Sequence, residues 1–121
     1  MRQFALAFIL IALSFASKAQ TCDKIMEDVK SGSNGKTYIS HNSDLISKVT
    51  FYDVRIDYQS CYFVIVCFKQ KYSNGCNEYI YEVGLTTKKS YVVNYKSNAR
   101  KAFRDYIEPY SDNLCCAPDF D

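Results

Sequence analysis

The sequence predicts an α+β fold: an N-terminal helix, an antiparallel meander of three to four strands, and a C-terminal helix packed on the sheet. Cys61 to Phe68 is the most apolar run beyond the first twenty residues, rich in β-branched and aromatic side chains, as suits a strand covered on both faces. Two further strand-like segments flank it, Ile46 to Val54 and Glu78 to Val83, and connections this short favour antiparallel pairing. Ala99, Ala102, Phe103, Tyr106 and Ile107 then follow the i, i+3, i+4, i+7, i+8 pattern of a core-facing helix.

The start of the chain sets the compartment. Met1 and Arg2 lead into a thirteen-residue apolar stretch, Phe4 to Ala16, and then Ser17-Lys18-Ala19, the layout of a secretory signal with cleavage near Ala19. Residues 1–19 are therefore expected to be removed, and a secreted or periplasmic location follows. The stretch is too short to span a bilayer, which takes about 20 residues, so no membrane span is expected. Thr21 stands where lipoprotein signals carry Ala, Gly or Ser, which argues against lipid modification of Cys22.

Loss of Arg2 and Lys18 lowers the 15 basic residues to 13, equal to the 13 acidic ones, so the mature chain is formally neutral. Whole-chain attraction to polyanions is excluded, while a local basic patch is not. The 102 residues after Ala19 suffice for one domain.

From residue 20 to residue 42 the sequence predicts a helix and a linker. Ile25, Met26 and Val29 share a helix face, Asp23, Glu27 and Asp28 place acid near its positive end, and Ser31-Gly32-Ser33-Asn34-Gly35 stops it. Lys36 to Ile39 is a brief strand or arm, and Asn42-Ser43-Asp44 is turn chemistry. Asp57 to Ser60 is a polar break between strands. In the central strand Cys61, Phe63, Ile65 and Cys67 point one way and Tyr62, Val64, Val66 and Phe68 the other. Asn74-Gly75 predicts a tight type I′ hairpin, and Tyr79 and Tyr81 then share one sheet face. Thr86 or Thr87 caps a helical turn in which Tyr91 and Tyr95 stack at i, i+4, and Pro109 ends the last helix near Ile107. Residues 111–121 form an irregular tail that needs a tether.

Six cysteines in an exported domain imply up to three disulfides among fifteen pairings. Cys61 and Cys67 lie about 20 Å apart on one strand and cannot join each other. Cys115 and Cys116 are adjacent, and a bridge between neighbours is strained. They are therefore expected to tie the tail to separate places, one of them Cys22. Cys76 completes the set. With no Cys-x-x-Cys pair and a single histidine, His41, in a turn-rich segment, no metal site or other cofactor is expected.

Ile46-x-x-Val49-x-Phe51, the apolar central strand, Tyr79-Ile80-Tyr81 and Lys101-Ala102-Phe103-Arg104-Asp105-Tyr106-Ile107 together resemble the KTSC domain, a short module named after the C-terminus of some lysyl-tRNA synthetases. The resemblance covers residues 43–110 and implies a meander closed by a helix. Arg100 stands where that family usually has glycine, Asn98 where it has serine, and Gly84 replaces a proline often found after the third strand.

No catalytic residue is singled out. His41 lies outside any recognisable nucleophile motif, and paired carboxylates such as Asp53 and Asp57 have no accompanying sugar cleft in a chain without tryptophan. The expected role is a non-catalytic interaction or structural module whose partner is a protein or an envelope component. An alternative is binding of nucleic acid or another polyanion through Tyr79, Tyr81 and a basic helix surface built from Lys96, Arg100, Lys101 and Arg104, with Lys88 and Lys89 nearby. A second alternative is inhibition of an extracellular hydrolase.

Overall fold

The computed structural model describes residues 21–120. The predicted signal, residues 1–19, lies outside them. The chain is helical from residue 21 to residue 32, here α1. As the spacing predicts, Ile25, Met26 and Val29 share its buried face. Ser31 Oγ donates to the Glu27 carbonyl 2.8 Å away, satisfying one of the groups a helix end leaves open.

Four strands follow in a sheet of order β1-β2-β3-β4, every neighbour antiparallel: β1 (Lys36–Ile39), β2 (Ile46–Ile56), β3 (Gln59–Lys69) and β4 (Cys76–Val83). The central strand is β3, and its residues alternate between two covered faces as its apolar composition requires. Val64 lies opposite Phe51 on one side and Tyr81 on the other, and Val66 opposite Val49 and Tyr79. These residues belong to the face that meets the C-terminal helices. Phe63 and Ile65 belong to the opposite face, which meets α1.

Both hairpins depart from the sequence reading. Between β2 and β3 the polar break contracts to Asp57 and Tyr58, which adopt φ of 50° and 66°, so Gln59 and Ser60 already pair with Ile56 and Arg55. Two consecutive left-handed residues match the right-handed twist of the flanking strands, and neither is glycine. Between β3 and β4 the expected type I′ turn at Asn74-Gly75 does not form, since neither residue has positive φ. A six-residue loop held by side chains takes its place. Ser73 Oγ donates to Gln70 Oε1 and accepts from the Gly75 N–H at 3.1 Å, while Gln70 Nε2 donates to Asn77 Oδ1 at 2.9 Å. These bonds supply locally what a two-residue turn would have drawn from the ladder.

Beyond β4 come α2 (Thr87–Asn94), α3 (Ala99–Tyr106), a 3-10 turn (Glu108–Tyr110) and one helical turn, α4 (Ser111–Leu114). Thr86 occupies the α2 N-cap without a side-chain cap bond; Thr87 Oγ1 instead accepts from Gly84 N–H at 3.1 Å. The Asn98 side chain caps α3 by accepting from Lys101 N–H at 3.0 Å. Ala99, Ala102, Phe103 and Ile107 are buried, as the stripe predicts, and the helix ends one residue before Ile107. Phe103 sits at the centre of an aromatic cluster, with its ring 5.2 Å from Phe68 and 5.7 Å from Tyr81. The α+β class is thus the observed one, with three layers: α1, the sheet, and α2 with α3.

Two disulfides cross-link the chain. Cys22 of α1 joins Cys116 of the tail, the tether the cysteine spacing predicts, with Cα atoms 5.6 Å apart. Cys67 joins Cys76 diagonally across β3 and β4, 5.3 Å apart. The expected third bridge is absent. Cys61 and Cys115 carry free thiols, so Cys115 does not tether the tail as expected. Its backbone is left-handed, φ 54°, and its exposed thiol donates to the Asp112 carbonyl at 3.3 Å.

Candidate functional site

The tyrosine platform is not available. Tyr81 is buried to 2% exposure beneath α3, and Tyr79 is half-buried between Phe68 at 5.9 Å and Phe120 at 5.8 Å. Phe120 itself stacks on Phe68 at 4.0 Å. The C-terminal tail thus completes the cover of the face on which bases or sugars would have stacked. Burial, reinforced by the nearby Glu108 carboxylate and Tyr79, raises the Tyr81 phenol far above its usual range and keeps it neutral.

The basic residues also divide. Lys101 donates to Asp105 Oδ2 at 2.6 Å, and that hydrogen bond, with the carboxylate charge, raises the Lys101 ammonium pKa. Arg104 is engaged elsewhere. Lys88 and Lys89 begin α2. Lys96 and Arg100 alone among the predicted ligand residues line a sizeable cleft.

That cleft measures about 870 Å³ and lies between two segments far apart in sequence: the end of β1 with the turn after it, residues 37–44, and the α2–α3 connection, residues 95–100. One wall is cationic. Lys96 and Arg100 lie there beside the start of α3, where the N–H groups of Ala99 and Arg100 have no intrahelical acceptor and carry the positive end of the helix dipole. Asn98 spends its side-chain oxygen on the cap, which leaves its amide NH₂ as donor. Asp44 faces this wall, its Oδ2 3.6 Å from Arg100 Nη1; the two are 82% and 45% exposed, so the pair is weak and water-screened.

The opposite wall carries Ser40 and His41, and its Tyr38 ring meets Tyr95 of the α2–α3 connection edge to face at 5.7 Å. His41 is exposed and lines the cleft. Ser40 is 7% exposed. Its hydroxyl and that of fully buried Tyr91 lack a hydrogen bond of acceptable geometry. Burial pushes the Tyr91 phenol up to about 12; the nearby Ser40 hydroxyl tempers that rise and Tyr95 adds to it. Tyr91 and Tyr95 stack 5.4 Å apart, the i, i+4 contact the sequence predicts.

Nothing in the sequence singles out Ser40 or Asp44 as members of a site, because only packing brings residues 37–44 to residues 95–100. The legible signal is two polar turn segments, His41-Asn42-Ser43-Asp44 and Lys96-Ser97-Asn98, each unusually dense in hydrogen-bonding groups. No group of three His, Cys, Asp or Glu side chains placed to hold a metal ion occurs among the described residues, nor is any helix there long and apolar enough to cross a membrane.

Fold and cleft together define, among the described residues, a three-layer α+β domain stapled by disulfides, with a polar, donor-rich concavity. Comparison with protein-family models, curated proteins and solved structures finds no match to this chain.

Proposed function

We propose that this chain is a small exported, non-catalytic interaction module that meets its partner, a protein or an envelope component, at the cleft between the β1–β2 turn and the α2–α3 connection. The observation that carries the reading is the concentration of uncommitted polar groups there. Lys96, Ser97, His41 and Asn42 line the cleft without a side-chain hydrogen bond to any described residue, whereas both sheet faces are closed by helices. Two disulfides favour an oxidising compartment. The KTSC resemblance enters as part of the proposal, since a meander closed by a helix over residues 43–110 is the arrangement it implies.

A photoreactive residue at Ser97, expressed in the producing organism, tests the reading against the same probe at Glu27 on the opposite face. A discrete adduct from Ser97 and none from Glu27 is the expected result. Equal labelling from both positions, or none from Ser97, removes the cleft as the contact surface.

A further inference from the structure

The cleft carries chemistry beyond a generic contact surface, and the inference drawn from it rests on the reading of that cleft as the binding site. We propose that it takes an acidic saccharide, one to a few sugar rings bearing a carboxylate.

Donors dominate the α3 wall. An ammonium from Lys96, a guanidinium from Arg100, the Asn98 amide NH₂ and the open N–H groups at the start of α3 have little to accept their hydrogen bonds. Asp44 is the single acidic side chain along this cleft, and it approaches Arg100 at only 3.6 Å. A carboxylate is the complement of such a wall: it accepts from guanidinium in a fork and from helix-end N–H groups along the dipole. The site is much larger than a lone anion needs. At about 870 Å³ it falls in the range that holds a ligand of several rings.

The rest of the lining suits sugar. Tyr38 and Tyr95 bring half-buried aromatic surface against which the C–H face of a pyranose packs, and the Ser97 hydroxyl and the Asn42 carboxamide line the cleft beside it. Ser40, buried at this end of the cleft, has the Tyr91 hydroxyl beside it.

Titration calorimetry of the mature protein with a chondroitin tetrasaccharide, a neutral cellotetraose and sodium acetate separates the possibilities. The acidic tetrasaccharide is expected to bind, with affinity falling as salt rises, while cellotetraose and acetate bind at least about tenfold more weakly. Arg100→Gln is expected to weaken binding about tenfold or more, because an exposed guanidinium leaves the fold but takes the charged hydrogen bonds with it. Asp44→Asn is expected to strengthen it about two- to fivefold by removing the competing acid. Acetate binding as tightly as the tetrasaccharide, or tetrasaccharide binding unchanged in Arg100→Gln, overturns the inference. A specific protein adduct at Ser97 with no saccharide binding overturns it while leaving the cleft as a contact surface.

Discussion

The two faces of the sheet are covered in opposite ways. The face toward α2 and α3 is closed by large interlocking aromatics, Phe51, Phe68, Tyr81, Tyr91 and Phe103, contributed by strands and helices and sealed by Phe120. The face toward α1 has a thinner cluster of Val29, Phe63, Ile65 and Ile80, with Ile25 and Met26 at its margin. Both disulfides serve the thinner side: Cys22–Cys116 ties α1 to the tail, and Cys67–Cys76 joins two strands among residues that face α1. Apolar area sustains one layer, and covalent restraint of the unfolded chain supplements the other.

Phe103→Ala is the sharpest way to break the aromatic side. Its ring is fully buried with aromatic neighbours at 5.2 and 5.7 Å, so truncation leaves a void that three elements would have to collapse to fill. Denaturant unfolding is expected to show a loss of about 3 to 5 kcal/mol. A loss below about 1 kcal/mol would mean that this layer is not held by its aromatic cluster.

Replacing Cys22 and Cys116 together by serine is expected to cost somewhat less, about 2 to 4 kcal/mol, although the bridge closes a loop spanning 94 positions. Amide exchange should quicken selectively in α1 and leave α3 protected. Removing Cys67–Cys76, which spans only 9 positions, should cost less than removing Cys22–Cys116, because loop closure restrains a short segment less. The unreduced wild type should yield these two linked peptides, with Cys115 alkylated readily and Cys61 more slowly, in line with their exposure.

These differences mark what sequence can and cannot convey. Alternation along β3 declared two covered faces, because a strand presents its neighbours to opposite sides and the run from Cys61 to Phe68 is apolar throughout. The stripes on α1 and α3 declared which helix faces are inward for the same periodic reason. The β3–β4 loop was misread because Asn74-Gly75 has the composition of a type I′ turn, while Gln70, Ser73 and Asn77 offer a side-chain network that competes with it. The third disulfide was misread because composition sets how many thiols exist, whereas pairing depends on where the fold puts them. Lys96 and Arg100 could be named as ligand residues from charge alone. Their complement, Ser40 and Asp44, could not, since it arrives through the register of β1 on β2 and the packing of α2 over that edge.

The aromatic side also carries a titration, at Tyr91. Tyr91 ionises near 10 when unfolded and near 12 when folded, so the folded state holds its proton longer. Stability from this group is complete below about pH 10 and is lost as pH rises toward 12, by about 2 to 3 kcal/mol in total. Tyr91→Phe should flatten that part of the alkaline curve. At neutral pH it should be neutral or slightly stabilising, because the hydroxyl it removes has no hydrogen-bond partner. A marked loss at pH 7 would show that the hydroxyl is paired in solution.

The smallest effect belongs to the polar edge of the α1 layer. Lys30 Nζ meets Glu78 Oε1 at 2.8 Å, joining α1 to β4, but both side chains are about two-fifths exposed and screened by water. Lys30→Gln should therefore cost about 0.2 to 1 kcal/mol, and the cost should shrink as salt rises. Combined with loss of Cys22–Cys116, the same substitution should cost more than it does alone, because the ion pair then becomes one of the few restraints on α1. Simple additivity in that double-mutant cycle would show that the bridge and the ion pair hold α1 independently, and that the thinner face is steadied by its apolar cluster more than by its cross-link.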